Sequence, residues 1–134
     1  MGCKISFHRM DIYGIKLYGK YNIYDRRQKI GEISFTKKKN IFIIGYFKIL
    51  EYHRGNHYGY QVIDYILSHY KVNCIIGQTL YEARGFWNKC IKRFNGQRMN
   101  IATCANCSSS FVIPRYKIDH DEMEKLLKIG YGIE

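Results

Sequence analysis

The sequence predicts an α/β fold: a mixed sheet with helices on both faces. Three observations carry that expectation. Apolar and polar residues alternate through the first third of the chain, the mark of half-buried strands. After Gly59 the apolar period lengthens to a helical one, with Val62, Ile63, Ile66 and Leu67 on one face. A short apolar run at Cys74-Ile75-Ile76 then follows, completing a strand–helix–strand passage. Such a passage requires a parallel strand pair joined by a right-handed crossover, while the other strands are free to run antiparallel.

Each element has a local reason. From Ile15 to Tyr24, Ile15, Leu17, Tyr21 and Ile23 alternate with Lys16, Lys20 and Asn22. Ile33 and Phe35 continue the pattern within Gly31 to Thr36. The polar stretch Asp25-Arg26-Arg27-Gln28 between the two runs predicts a hairpin. A second polar turn at Lys37 to Asn40 leads into Ile41 to Leu50, rich enough in Ile, Phe and Tyr for a strand buried on both faces. The helix after Gly59 should run about four turns. A strand over Val72 to Gly77 precedes a second helix from Glu82 to Phe94, which places Phe86, Trp87, Cys90, Ile91 and Phe94 inward and stops at Asn95-Gly96. Two strands are expected at Met99 to Cys104 and Phe111 to Ile118. Asp119 or Asp121 would cap a last helix carrying Met123, Leu126, Leu127 and Ile129.

The 134 residues suit one domain spanning 1–134. With 46% apolar and 16% aromatic residues, disorder is excluded. No apolar stretch reaches the ~20 residues needed to cross a bilayer. The start, Met1-Gly2-Cys3-Lys4-Ile5, has no signal-peptide character, and the β-like run after it argues against myristoylation at Gly2. A soluble, cytoplasmic protein is expected. The net charge of +11 predicts a polyanionic partner: nucleic acid, an acidic protein or a phosphate-bearing cofactor. The alternative is a solvated lysine-rich surface. The five cysteines, at 3, 74, 90, 104 and 107, are odd in number and scattered, which fits free thiols in a reducing compartment. Cys104 and Cys107 form a CxxC, but no second ligand pair follows, so no metal site is expected.

The informative segment is Ile49-Leu50-Glu51-Tyr52-His53-Arg54-Gly55-Asn56-His57-Tyr58-Gly59-Tyr60, between a buried strand and a helix start. The first turn of a helix carries unpaired N–H groups and the positive end of its dipole. Glycines there let backbone approach an anion closely, and Arg54 adds a charged donor. The combination describes a phosphate cradle. The alternative, ordinary turn glycines at a strand–helix junction, is open at this level. The segment is neither a P-loop, lacking GxxxxGK[ST], nor a dinucleotide fingerprint.

Placed after three strands, Arg54-Gly55-Asn56-His57-Tyr58-Gly59 resembles the pyrophosphate-binding motif of the GNAT family of N-acetyltransferases, Gln/Arg-x-x-Gly-x-Gly/Ala. Arg54, Gly55 and Gly59 match, and His57 replaces the usual central glycine. Ala83-Arg84-Gly85-Phe86-Trp87-Asn88-Lys89-Cys90 is similar to a second family segment, Asn-x-x-Ala-x-x-Phe-Tyr-x-Lys-Leu. There Ala83, Phe86 and Lys89 match, Leu80 stands where Asn is usual, and Trp87 takes the place of the tyrosine. The resemblance covers about residues 12 to 118 and includes the order of elements.

The resemblance implies a GNAT-like acyl-CoA N-acyltransferase fold and an acetyl-CoA-dependent enzyme. It implies that Ile49 and Leu50 bond pantetheine, that Arg54, Gly55, Asn56, His57, Tyr58, Gly59 and Tyr60 hold pyrophosphate, and that Lys89 takes part in cofactor binding. The amine would attack directly in a ternary complex. General-base candidates are Glu51, His53 and Glu32, with Glu51 at the strand end. Trp87 cannot protonate a leaving thiolate, although its indole N–H can donate a hydrogen bond. Tyr81 or Tyr58 would substitute, or the thiolate would leave unaided. The one or two helices that usually follow the family's first strand are missing, since too few residues precede Ile15. An open acceptor groove follows, suited to a lysine or other amine of a macromolecule such as an acidic protein or RNA. The competing reading is a catalytically inactive member of the fold that uses its basic surface to bind nucleic acid or a partner protein. The acceptor and the oligomeric state stay open, a dimer included.

Overall fold

A computed structural model describes residues 3–80, 83–100 and 107–133 of the chain. In chain order the elements are β1 (Ile5–Ile12), β2 (Ile15–Asp25), β3 (Gln28–Lys38), β4 (Ile41–Ile49), a 3-10 turn (Glu51–His53), α1 (Tyr58–His69), β5 (Cys74–Leu80), α2 (Arg84–Arg93), β6 (Gln97–Met99), β7 (Cys107–Pro114) and α3 (His120–Tyr131). The strands form one seven-stranded mixed sheet in the order β1-β2-β3-β4-β5-β7-β6. β4 and β5 are parallel; β1–β2, β2–β3, β5–β7 and β6–β7 are antiparallel. The expected α/β class with a mixed sheet is what the chain adopts.

The chain divides into two compact units. The first comprises residues 1–36 and 45–70, the second 37–44 and 71–134. In the first, two tight hairpins order the strands. The β1–β2 turn places Tyr13 at φ 52° and Gly14 at φ 81°, the left-handed geometry of two-residue hairpins, and Asp11 accepts the Gly14 N–H at 2.7 Å. At the β2–β3 turn Arg26 has φ 57°. The core holds Ile23, Ile30, Ile33, Val62, Ile63 and Ile66, all at or below 1% exposure. An aromatic cluster extends it: the Phe7 ring lies 4.9 Å edge-on from Tyr65, and Tyr21 stacks on Phe35 at 4.8 Å. α1 thereby covers the sheet with the face that its 3.6-residue period predicts.

In the second unit, β5 is sandwiched. On one face Ile41, Cys74, Ile76, Met99, Val112, Met123 and Leu127 form a single cluster, with α3 supplying the last two. Gly130 lets α3 lie close, since a Cβ there would come within 2.3 Å of the Ile76 side chain. On the other face Gly77 leaves room for the Phe111 ring, on which Trp87 of α2 stacks at 4.1 Å. Asp119 caps α3, its side chain accepting the Glu122 N–H at 2.8 Å; this decides between the two candidate caps.

Several boundaries differ from the sequence reading. β1 falls on the stretch that the sequence marks only as a β-like run, without strand bounds. β7 ends at Pro114 instead of running to Ile118, because proline offers no N–H to extend a ladder. β6 is a three-residue strand beginning at Gln97. Residues 101–104 of the strand expected at Met99 to Cys104 lie outside the described residues, as do Gly2, Tyr81, Glu82 and Cys104.

Candidate functional site

Nearly all of the loop and helix-start residues singled out above belong to the first unit. β4 delivers the chain to Ile49, and Leu50 is pinned by its N–H to the Ile30 carbonyl at 2.8 Å. The 3-10 turn then reverses direction, with the His53 N–H on Leu50 O at 2.9 Å and the Arg54 N–H on Glu51 O at 3.3 Å. Arg54 folds back, and its Nε donates to the Ile49 carbonyl at 2.9 Å. Gly55 has φ +83°, a conformation that strains any residue with a Cβ, and the space where a Cβ would stand is open. His57 takes φ 60°, also left-handed, as the residue that opens α1, and its ring stacks on Tyr60 at 5.9 Å.

The α1 N-terminus is left bare of side chains. No side chain caps its first turn and no carboxylate lies within it. Helix starts are commonly capped by Ser, Thr, Asp or Asn, and His57 at this one makes no such side-chain bond. Gly59 is buried one residue into the helix.

Tyr58 does not point toward the loop's open side for a partner. Its hydroxyl donates to Asp25 Oδ2 at 2.7 Å, tying the first residue of α1 to the end of β2. Asp25 also accepts the Lys4 backbone N–H at 2.8 Å. Those two bonds, the Lys4 one foremost, hold the Asp25 carboxyl below its ordinary range; the same bond to Asp25 pushes the Tyr58 phenol up. Cys3 Sγ meets the Gln61 side chain beside them. A tyrosine so held is a weaker acid than a free one. Sequence reasoning missed Asp25 altogether: it lies 33 positions from Tyr58, and no local pattern links the two.

The base candidates separate by environment. Glu51 is exposed at the end of β4, in the 3-10 turn. Glu32 is engaged by Lys29 at 3.0 Å. His53 sits edge-on to the Tyr58 ring at 6.1 Å. Trp87 and Lys89 belong to the second unit, on α2. Trp87 is 5% exposed, stacked on Phe111 and edge-on to Phe86 at 4.8 Å, while Lys89 is exposed.

The parallel ladder of β4 with β5 pairs Ile41–Ile44 with Cys74–Gly77. Among the described residues it extends no further, although β4 runs on to Ile49 and β5 to Leu80. The last half of β4, Gly45–Ile49, therefore continues past the end of its parallel pairing. Among the described residues no three His, Cys, Asp or Glu side chains converge as a metal site, and no helix is long and apolar enough to cross a membrane. Cys3, Cys74 and Cys90 are free thiols, and burial pushes those of Cys74 and Cys90 up to about 12.

The mixed α/β sheet described above matches solved folds of one kind. This is the GNAT acyl-CoA N-acyltransferase fold. The ribosomal-protein-S18-alanine N-acetyltransferase of Escherichia coli superposes with a TM-score of 0.58 at 3% identity, covering 88% of this chain and 98% of that one. The diaminobutyrate acetyltransferase of Paenibacillus lautus, solved with its substrate and coenzyme A, gives 0.57 at 10% identity over 88% and 99%. A GNAT-family acetyltransferase of Bacillus cereus gives 0.57 at 13% identity over 73% and 71%. No family model and no curated protein sequence matches the chain. The likeness is thus one of fold, carried by element order and strand pairing at low identity.

Proposed function

We propose that this protein is an N-acetyltransferase that moves the acetyl group of acetyl-CoA to an amine, a lysine or other amine of a macromolecule, by direct attack in a ternary complex. The observation that carries the reading is the start of α1: a helix N-terminus with no side-chain cap and no acidic residue in its first turn, entered through Gly55 in a left-handed conformation with open space beside it. Those features fit a diphosphate, which asks for N–H donors, close backbone approach and the positive end of a dipole. The GNAT fold, seen in one neighbour with coenzyme A bound, supports the same reading.

In this assignment the amides of residues 55 to 60 hold the diphosphate, with Arg54 close by. The backbone of Gly45–Ile49, past the end of the β4–β5 ladder, receives the pantetheine arm in the manner of an added strand. Acetyl-CoA supplies the activated acyl group. The chain's own tasks are to align the acceptor, take a proton from its ammonium and offer an N–H to the developing oxyanion. The Ile49 N–H is assigned to the oxyanion. Glu51, exposed where β4 ends, is assigned as base, directly or through a water. Glu32 is the poorer candidate because Lys29 neutralises it. The role left for Trp87 is to hold α2 on Phe111; proton transfer to the thiolate is not required of it.

Calorimetry with acetyl-CoA tests the assignment. The wild-type chain should bind at micromolar levels, and Gly59→Trp, once circular dichroism shows the variant folded, should abolish binding by filling the cradle. Unaltered affinity in that variant would overturn the site. Labelled acetyl-CoA incubated with a cell extract then separates an enzyme, which labels a macromolecule, from a protein that binds the cofactor and transfers nothing.

A further inference from the structure

The sheet ends on two unequal edges: β6 has three residues and β1 has eight. An open edge strand presents a row of unpaired N–H and C=O groups that another strand can join. Such edges are commonly blunted by proline, lysine or a bulge. From Ile5 to Ile12, β1 holds neither proline nor lysine. The irregularity in its ladder falls on β2, where Leu17 to Lys20 stand against Met10 alone and Gly19 takes φ 71°. β1 itself runs on unbroken.

The ladder also fixes which backbone groups face outward. The Lys4 carbonyl accepts the Arg26 N–H at 2.9 Å, so the even-numbered residues turn their backbone groups toward β2. The odd-numbered residues of β1, Arg9 and Asp11 among them, turn theirs away from the sheet.

Charge then selects the occupant. Arg9 and Asp11 stand two residues apart and so on one face of the strand. Both are exposed, and neither is in an ion pair among the described residues. Two copies of β1 laid antiparallel about a two-fold axis at Met10 put Arg9 of each opposite Asp11 of the other. The match occurs twice, as an isologous contact requires. A register centred on Arg9 would oppose two arginines, and one centred on Asp11 two aspartates. In the Met10 register, Asp11 lies between Lys16 of its own β2 and Arg9 of the second copy. On the other face of the strand Met10 meets Met10. Ile12, 51% exposed, meets His8, and the fully exposed Tyr13 comes level with Phe7.

We propose that two copies of this chain join through their β1 strands, antiparallel about Met10, into a two-fold dimer whose sheet is continuous across the contact. The pairing is independent of acetyl-CoA.

Sedimentation velocity on the full chain over about 1–100 µM, the range in which an interface below ~1,200 Å² acts, tests it. The wild type should pass from the 16.0 kDa monomer to a species of twice that mass. Arg9→Asp and Asp11→Arg should each stay monomeric, since each turns both attractive pairs into repulsive ones. An equimolar mixture of the two variants should dimerise again, because one chain then carries only negative and the other only positive charge at the two positions. Circular dichroism establishes that each variant is folded. Asp11 also accepts the Gly14 N–H, so if Asp11→Arg does not fold, Arg9→Pro replaces it. That change removes an amide that points out of the sheet and should likewise leave a monomer. A wild type that is monomeric over the whole range would overturn the proposal. So would any of these variants dimerising as the wild type does, or a mixture that stays monomeric.

Discussion

Asp25 and Tyr58 show how a single side-chain bond can tie a helix start to a distant strand end. The carboxylate accepts from the Lys4 backbone and the Tyr58 hydroxyl, and so fixes both the chain start and the first residue of α1. Losing the hydroxyl should cost about 1.5–3 kcal/mol, the net value of a hydrogen bond to a charged group. Tyr58→Phe should therefore lower the denaturation midpoint and weaken acetyl-CoA binding more than Glu51→Gln does. The pH dependence has a definite sign. The folded Asp25 carboxyl titrates below its unfolded value of ~3.9, so its contribution is present above that value and is lost as pH falls through the folded one. Urea denaturation from pH 2 to 6 should show a shallower acid-side loss of stability for Asp25→Asn than for the wild type. The Tyr58 phenol, raised by the same bond, works the other way. Its contribution holds below ~10 and disappears in strong alkali. Trp87 is a different kind of residue. Buried and stacked, it should cost ~3–5 kcal/mol when cut to Ala. Trp87→Phe should keep most of the stability and, with proton transfer assigned elsewhere, most of the turnover.

At the scale of elements, glycine placement constrains the sheet. A Cβ on Gly31 would come within 2.3 Å of the Lys48 carbonyl, a backbone atom of the strand that leads into the loop. The neighbour cannot rotate away, so Gly31→Ala should destabilise by about 1–3 kcal/mol and loosen the end of β4. Lower thermal stability accompanied by weaker acetyl-CoA binding would report both effects. Legibility also varied by element. α1 declared itself by period, α3 by period and cap, and β4 by its apolar run. β1 did not, because His8, Arg9 and Asp11 interrupt its alternation; its ladder to β2, from Ile5–Asp25 to Ile12–Ile15, makes it a strand. β6 is too short for any period to show.

For the whole molecule, burial governs reactivity. Cys74 and Cys90 are fully buried, with thiols pushed to about 12 by desolvation. Alkylation followed by peptide mapping should find both unmodified in the native protein at pH 8 and both modified in denaturant. A native-state reaction at either would contradict the packing around β5 and α2.

The sequence alone determined the class of fold, the switch from strand to helix at Gly59, and the loop from Arg54 to Tyr60. Each follows from rules acting over a few residues: apolar period, turn chemistry and the need of a helix start for anions. Tertiary structure decided what depends on residues far apart in the chain. It set the point where the β4–β5 ladder stops, the commitment of Tyr58 to Asp25 and the inward turn of Trp87 onto Phe111. Strand register and side-chain pairing here arise from packing between residues 24 to 33 positions apart, and no local pattern encodes which of two possible partners a side chain will meet.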